Sequence, residues 1–344
     1  MESASIKEET TESSFTKAES PWGCSSDALM FGCTSVVFKQ SDFEDDFPSS
    51  MEPIPPQALP SLGTNSAQQK ADEIFQVIEA EGHKYGIEAH RFLVGWYNDQ
   101  VGPQFRIPYD PDTLAFLFIS TPSMFEKAFI PFVNSNSKFT SDETPNEAAK
   151  ESDSEDEIIP EVKPKILDPI DRCSSSVLRS IAEELAEEVD IISDFEMINR
   201  RPRILVQTMG HVAGAAYLYH KKDLTNDSAI SHNGENFLGV SIHPLFGGWF
   251  AFRGAMVVKN FLCPDLPRKP CVDVVPDESR RIWLLNEFNT NWNEWTYRDV
   301  IPVCARYSDL QKKYFGTVPA QRQELIDSYL KQQAAAGDLS ETDD

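Results

Sequence analysis

The stretch Phe237-Leu238-Gly239-Val240-Ser241-Ile242-His243-Pro244-Leu245-Phe246-Gly247-Gly248-Trp249-Phe250-Ala251-Phe252-Arg253-Gly254-Ala255-Met256-Val257-Val258 decides the fold class. Two apolar, strand-prone runs, Phe237–Ile242 and Trp249–Val258, flank Pro244 and the Gly247-Gly248 pair, which reads as two strands around a tight turn. Arg253 lies inside the second run, where a buried charge needs a partner. An internal carboxylate or an anionic ligand would each supply one. His243 precedes a proline, which favours an extended backbone.

Working outward, Leu114–Ser120 is a continuous apolar run closed by Thr121-Pro122 and predicts a buried strand, with a short helix over Ser123–Phe132. Asp190–Ile198 predicts a further strand. Helical spacing of apolar residues predicts helices over Ala67–Tyr85, Ser174–Glu188, Asp277–Trp295 and Val318–Ala335. Arg203–His220, opened by Pro202, also reads as a helix. No strand–helix unit repeats, so the expected class is α+β with a largely antiparallel sheet.

The chain has 344 residues and a formal net charge of −24. Three segments hold −17 of it: residues 1–66 (−8), 134–165 (−5) and 332–344 (−4). The expected organisation is a disordered acidic tail over 1–66, a body over 67–330 interrupted by a flexible acidic insertion at 138–165, and a disordered acidic tail over 331–344. Serines among the acids of Ser152–Glu157 could accept phosphate, although a solvated charge run is the plainer reading. Acidity argues against nucleic-acid binding and anionic membrane surfaces. No apolar run reaches the length of a membrane span. The polar, acidic N-terminus resembles neither a secretory signal nor a transit peptide. Six scattered cysteines without a C-x-x-C pair fit reduced thiols in the cytoplasm.

Within Arg203–His220, Gly210 and Gly214 are costly in a helix interior, about 1 kcal/mol each relative to alanine. Something must approach the backbone closely, either a neighbouring element or a flat ligand. Gln207, His211 and Gly214 fall on one face of that expected helix. Trp292 and Trp295 share a helix side, as core residues do, and Arg298 adjoins Asp299 as a structural pair would. No phosphate-binding loop, zinc-protease helix or nucleophile elbow is present.

Five stretches, however, resemble one family in order. They are Phe92–Asn98 (FLVGWYN), Asn199–Leu205 (NRRPRIL), His211–Tyr217 (HVAGAAY), Ile242–Ala251 (IHPLFGGWFA) and Trp295–Asp299 (WTYRD). Together they resemble the cobalamin-processing family of the CblC type, the methylmalonic aciduria and homocystinuria type C family. The resemblance runs from about Ala67 to Ile326, outside the tails and the insertion. It implies a flavin-nitroreductase-like, mainly antiparallel sheet flanked by helices, with a C-terminal cap region. It also implies a cytoplasmic enzyme that binds cobalamin base-off and removes its upper axial ligand. Cyanocobalamin would be reductively decyanated with electrons from reduced FMN or FAD, and alkylcobalamins would be dealkylated by glutathione.

Carried over by the resemblance, the cobalamin contacts are Asp194, Ile204, Leu205, Val206, Gln207, Leu218, Tyr219, His220, Ser241 and Phe252. His211 and Gly214 form a His-x-x-Gly that resembles a cobalamin-binding signature, without His211 ligating cobalt. Leu218, His220, Ser241 and Phe252 depart from the residue types usual in the family. The glutathione-binding arginines fall on Arg253, Arg298 and Arg322, suited to a peptide with two carboxylates. No metal belongs to the protein itself, since cobalt arrives with the substrate. Implied partners are a flavin or flavin reductase, the type D cobalamin-trafficking protein and proteins of the methionine synthase pathway. A cobalamin chaperone without turnover and a general flavin reductase are the alternative readings.

Overall fold

The computed structural model describes residues 66–135, 168–225, 230 and 237–340, with side chains as far as 333. Expectations for the N-terminal tail and the acidic insertion fall outside the described residues. The class is α+β, as the sequence implies. Its centre is a four-stranded antiparallel sheet in the order β1-β2-β8-β3, formed by β1 (Ile87–Leu93), β2 (Thr113–Ser120), β8 (Ala251–Leu262) and β3 (Val189–Ser193).

β2 lies between β1 and β8, and every one of its residues is buried. That is why Leu114–Ser120 shows no polar alternation: a strand covered on both faces reads as a continuous apolar run. Leu114, Phe116 and Phe118 join Met256 and Val258 in one core, against α1 (Ser66–Tyr85) and α4 (Pro169–Glu183). Ala115, Leu117 and Ile119 join Phe252, Ala255 and Val257 in a second, against α2 (Val94–Asn98) and α5 (Val206–Val212). A third core forms under the ribbon of β6 (Tyr217–Tyr219) and β7 (Val240–Ile242), against α6 (Glu278–Thr290).

Several boundaries differ from expectation. The helix expected over Ser174–Glu188 begins earlier, where Asp168 accepts the Ile170 amide at 3.2 Å and Pro169 takes the first turn, and it ends at Glu183. The helix expected over Arg203–His220 is three things: a loop, the short α5, and β6. Gly214, at φ +68°, stops it as a C-terminal glycine does, and Pro202 opens no helix. Pro202 instead sits in β5 (Arg201–Pro202), paired with β4 (Met197–Ile198), which detaches from the expected strand Asp190–Ile198. Asn199 and Arg200 turn between them at φ 52° and 66°, the positive pair of a tight hairpin. Helical structure over Ser123–Phe132 comes as a π-turn, Phe125–Phe129, followed by α3 (Ile130–Ser135). α7 (Asp309–Gly316) and α8 (Arg322–Ser340) complete the chain, and α8 continues past residue 330, where a tail was expected to start.

Candidate functional site

The residues singled out for cobalamin gather around α5. Leu205 caps it, and its amide donates to the Tyr97 hydroxyl at 2.8 Å. Tyr97 is fully buried and donates onward to the Phe105 carbonyl at 3.2 Å. Ile204 and Val206 are buried on either side of the cap, and Gln207 Nε2 donates to the Gly239 carbonyl at 3.4 Å. Phe252 on β8 explains Gly210, because a Cβ there would lie 2.4 Å from the Phe252 ring. The close neighbour of that glycine is therefore the sheet.

His211 does not share a helix face with Gly214, which lies beyond the helix end with its α-carbon against the Lys269 backbone. The His211 ring accepts the Leu218 amide at Nδ1, at 3.3 Å, so its proton sits on Nε2. Burial first, and the Arg268 charge second, pull its pKa down to about 4.

β6 and β7 form the next wall. Leu218 pairs with Ser241 and Tyr219 with Val240. The Tyr219 hydroxyl donates to Asp273 Oδ1 at 2.8 Å and accepts the amides of Val274 and Val275. This pins residues 273–275 to the ribbon. Burial, with Lys222 and His211 adding to it, pushes the His220 pKa down to about 3. Ser241 Oγ and both Asp194 carboxylate oxygens are buried and lack hydrogen-bond partners among the described residues. Burial raises the Asp194 pKa to about 7, opposed by the Arg253 charge.

Two of the three arginines, Arg322 and Arg253, bear on the start of α4. Arg253 is the extra residue of a β-bulge: Phe118 pairs with Gly254 and Ile119 with Phe252, leaving residue 253 unmatched. Gly254 permits this at φ +128°, where a Cβ would lie 2.2 Å from the Ile192 carbonyl oxygen. Arg253 Nε donates to Ser120 Oγ at 3.0 Å, and its charge acts on Cys173 in α4 as well as on Asp194. The buried carboxylate that feels this charge is Asp194.

Arg322, 2 % exposed, donates from Nη1 to Asp168 Oδ2 at 2.5 Å and from Nε to the Thr317 carbonyl at 3.1 Å. Tyr314 donates to the other Asp168 oxygen at 2.5 Å. Arg298 lies in an aromatic cage, 4.8 Å from the Trp295 ring centroid, 5.1 Å from Tyr297, 5.2 Å from Tyr307 and 5.6 Å from Trp249. It also clasps the Gly247-Gly248 turn. The Gly248 amide donates to the Arg298 carbonyl at 2.9 Å, and Arg298 Nη1 donates back to the Gly248 carbonyl. A Cβ on Gly247 would lie 2.2 Å from the Arg298 carbonyl oxygen, so the clasp requires glycine. Tyr307 and Phe315 rings, 5.4 Å apart, connect Arg298 with Arg322. Asp299 pairs with Arg306 at 2.9 Å and accepts Trp249 Nε1 at 2.7 Å. Trp295 stacks on Trp249, which bears out its reading as a packing residue, although it stands outside a regular helix at φ 65°.

Tyr97 stands within the matched stretch Phe92–Asn98, but nothing in the sequence gives it a role, and Glu88 and His90 on β1 are single residues with no diagnostic spacing; only the tertiary fold gives the three their partners.

Comparison with known proteins covers the same span of the chain. Residues 86–326 match the model of the methylmalonic aciduria and homocystinuria type C family. A Mus musculus protein named cyanocobalamin reductase / alkylcobalamin dealkylase is 40 % identical over 261 residues, 75 % of this chain and 84 % of that protein. The Homo sapiens protein of the same name is 40 % identical, over 75 % of this chain and 83 % of its own length. A crystal structure of a C. elegans B12-trafficking protein, CblC, has a TM-score of 0.60 at 31 % identity and covers 76 % of this chain and 97 % of that one.

Proposed function

The chain belongs to the methylmalonic aciduria and homocystinuria type C family, and from that premise we propose that it is a cyanocobalamin reductase and alkylcobalamin dealkylase. The observation that carries the reading is the set of buried oxygens without a hydrogen-bond partner on Asp194 and Ser241, together with the close fit of α5 to the Phe252 ring. Buried polar atoms are rarely left unpaired in a native protein. A ligand rich in amide groups, as cobalamin is, would satisfy them. Asp194, Ile204 to Gln207, His211, Gly214, Leu218 to His220, Ser241 and Phe252 are the proposed contacts, and the nitroreductase-like character of the sheet is part of the same reading.

Base-off binding removes the lower nitrogen donor from cobalt, which makes the metal easier to reduce. In dealkylation the glutathione sulfur attacks the carbon bound to cobalt. The carbon–cobalt bond breaks, its electron pair stays on cobalt as Co(I), and a thioether leaves. In decyanation an electron supplied by reduced FMN or FAD enters cobalt and cyanide departs with its own pair. No residue of this chain is assigned to flavin, which enters as an electron donor or through a flavin reductase. The protein contributes proximity of the two reactants and a cationic surround that favours the thiolate. Arg253, Arg298 and Arg322 are the proposed glutathione contacts.

The activity is assigned to residues 67–330 in the cytoplasm, with handover to the type D trafficking protein and the methionine synthase pathway. No helix among the described residues is long and apolar enough to cross a membrane. The test is an anaerobic visible spectrum of the protein with cyanocobalamin. The band should move to shorter wavelength on binding and change again when reduced flavin is added. A base-on spectrum at saturating protein refutes the reading. Binding without either reaction would leave a chaperone, and flavin turnover without cobalamin binding a flavin reductase.

A further inference from the structure

Glu88, His90 and His243 converge outside the residues assigned above. Glu88 Oε2 lies 3.4 Å from His243 Nε2 and 3.7 Å from His90 Nε2. The side chains are 35 %, 11 % and 3 % exposed for Glu88, His90 and His243, so the cluster opens to solvent at the carboxylate. The donor types are those of a metal centre, but the hydrogen bonds argue otherwise. His243 Nδ1 accepts the amides of Leu245 at 3.1 Å and Phe246 at 3.3 Å. Its lone pair there is used, so the ring proton is on Nε2, which then donates to Glu88 and has no electron pair for a cation. His90 Nε2 is buried and has no hydrogen-bond partner among the described residues. Burial raises the Glu88 pKa, but the two imidazoles more than offset it and hold it at about 2, so the carboxylate is ionised at neutral pH.

Two neighbours set this cluster beside the proposed cobalamin contacts. Glu88 pairs with Ile119 and Ile119 with Phe252, so all three share a row and a face of the sheet, with His90 two residues along on the same face. His243 follows Ser241 by two residues. Its ring lies 5.7 Å from Phe250, whose ring is 5.1 Å from Phe252. The cluster therefore borders two proposed cobalamin contacts, Phe252 and Ser241.

We propose that Glu88, His90 and His243 form a subsite for one carboxamide arm of the corrin ring, an inference that rests on the cobalamin reading above. The arm's N–H donates to Glu88, its carbonyl accepts from His90 Nε2, and His243 holds the carboxylate in place. A neutral primary amide carries both complementary groups. A carboxylate in its place would face Glu88 with like charge.

The probes are cyanocobalamin and the cyanocobalamin monocarboxylic acids, each with one corrin propionamide or acetamide hydrolysed, titrated against the full chain by visible spectroscopy. One acid isomer should bind at least about ten-fold more weakly than the parent, as like-charge juxtaposition demands. Glu88→Gln should bring that isomer to within about three-fold of the parent, and His90→Phe should weaken the parent itself by about three- to ten-fold. Should Glu88→Gln fail to melt cooperatively, the wild-type comparison of isomers decides alone. Parent binding with no isomer discriminated overturns the subsite while leaving the cobalamin reading intact. No binding of the parent overturns both. Stabilisation of the protein by micromolar zinc, lost in His90→Phe, would overturn the subsite in favour of a metal centre.

Discussion

Arg322→Gln separates a role in glutathione binding from a role in the fold. Arg322 is 2 % exposed, and its guanidinium joins the start of α8 to Asp168, the residue that caps α4. Glutamine keeps a polar end but cannot reach the carboxylate with a charge. Asp168, whose side chain is 9 % exposed, would then keep only Tyr314 and the Ile170 amide among these partners. Breaking one side of a buried ion pair costs about 3–5 kcal/mol. For a body of this size each kcal/mol lowers the melting temperature by about 2–4 °C, so a fall of about 6–20 °C is expected. Circular dichroism and tryptophan fluorescence melts measure it. Adding Asp168→Asn removes the stranded charge and should recover part of the loss. A variant that melts within about 2 °C of wild type, yet needs far more glutathione for dealkylation, would refute the structural argument and make Arg322 a co-substrate contact alone.

Arg298→Gln removes the charge and the fork; it should weaken glutathione use about ten- to a hundred-fold in methylcobalamin dealkylation, while flavin-driven decyanation falls much less, both read from the visible spectrum. Tyr97→Phe strands the Leu205 amide and the Phe105 carbonyl, so a stability loss of about 1–3 kcal/mol by urea denaturation should accompany weaker cobalamin binding through α5. Gly210→Ala should destabilise by about 1–3 kcal/mol because its methyl meets the Phe252 ring, and Phe252→Leu in the same chain should relieve the clash. Asp194 has a folded pKa raised by burial to about 7, so the native state holds a proton that the unfolded state releases from about pH 4 upward. Its contribution is fully present below the unfolded pKa and lost as pH rises through 7. Asp194→Asn should therefore gain stability relative to wild type between pH 4 and 7, and a pH-independent difference would count against that environment.

The parts of the fold legible in the sequence are those whose signal is local. β2 announces itself by seven apolar or small residues closed by Thr-Pro, and β8 by its apolar run after a glycine pair. α5 and β6 together read as one long helix in the sequence, because alanine-rich sequence carries helix propensity whatever its partner. What overrides it is Gly214 in the left-handed region and the pairing of Tyr217–Tyr219 with β7, a contact between residues distant in the chain. Arg253 reads as a buried charge that needs a partner, but neither the bulge that aims it nor the Asp194 carboxylate under its charge can be read before the strands are in register. The site contacts came from a resemblance of long ordered motifs. Glu88 and His90 gave no signal because their meaning depends on the row they share with Phe252.

The two-way pairing of Gly248 with Arg298 makes a mechanical linkage. The turn leads within a few residues into β8 and Phe252, while the arginine on its other side is a proposed anchor for glutathione. If Arg298 and Phe252 make the contacts proposed for them, an anion that draws Arg298 must also pull on the turn, and a corrin that presses on Phe252 must push back along the same backbone. Coupling free energies are symmetric. Whatever factor glutathione applies to cobalamin affinity through this connection, cobalamin applies to glutathione, and cutting the connection at Gly248 should abolish both directions together.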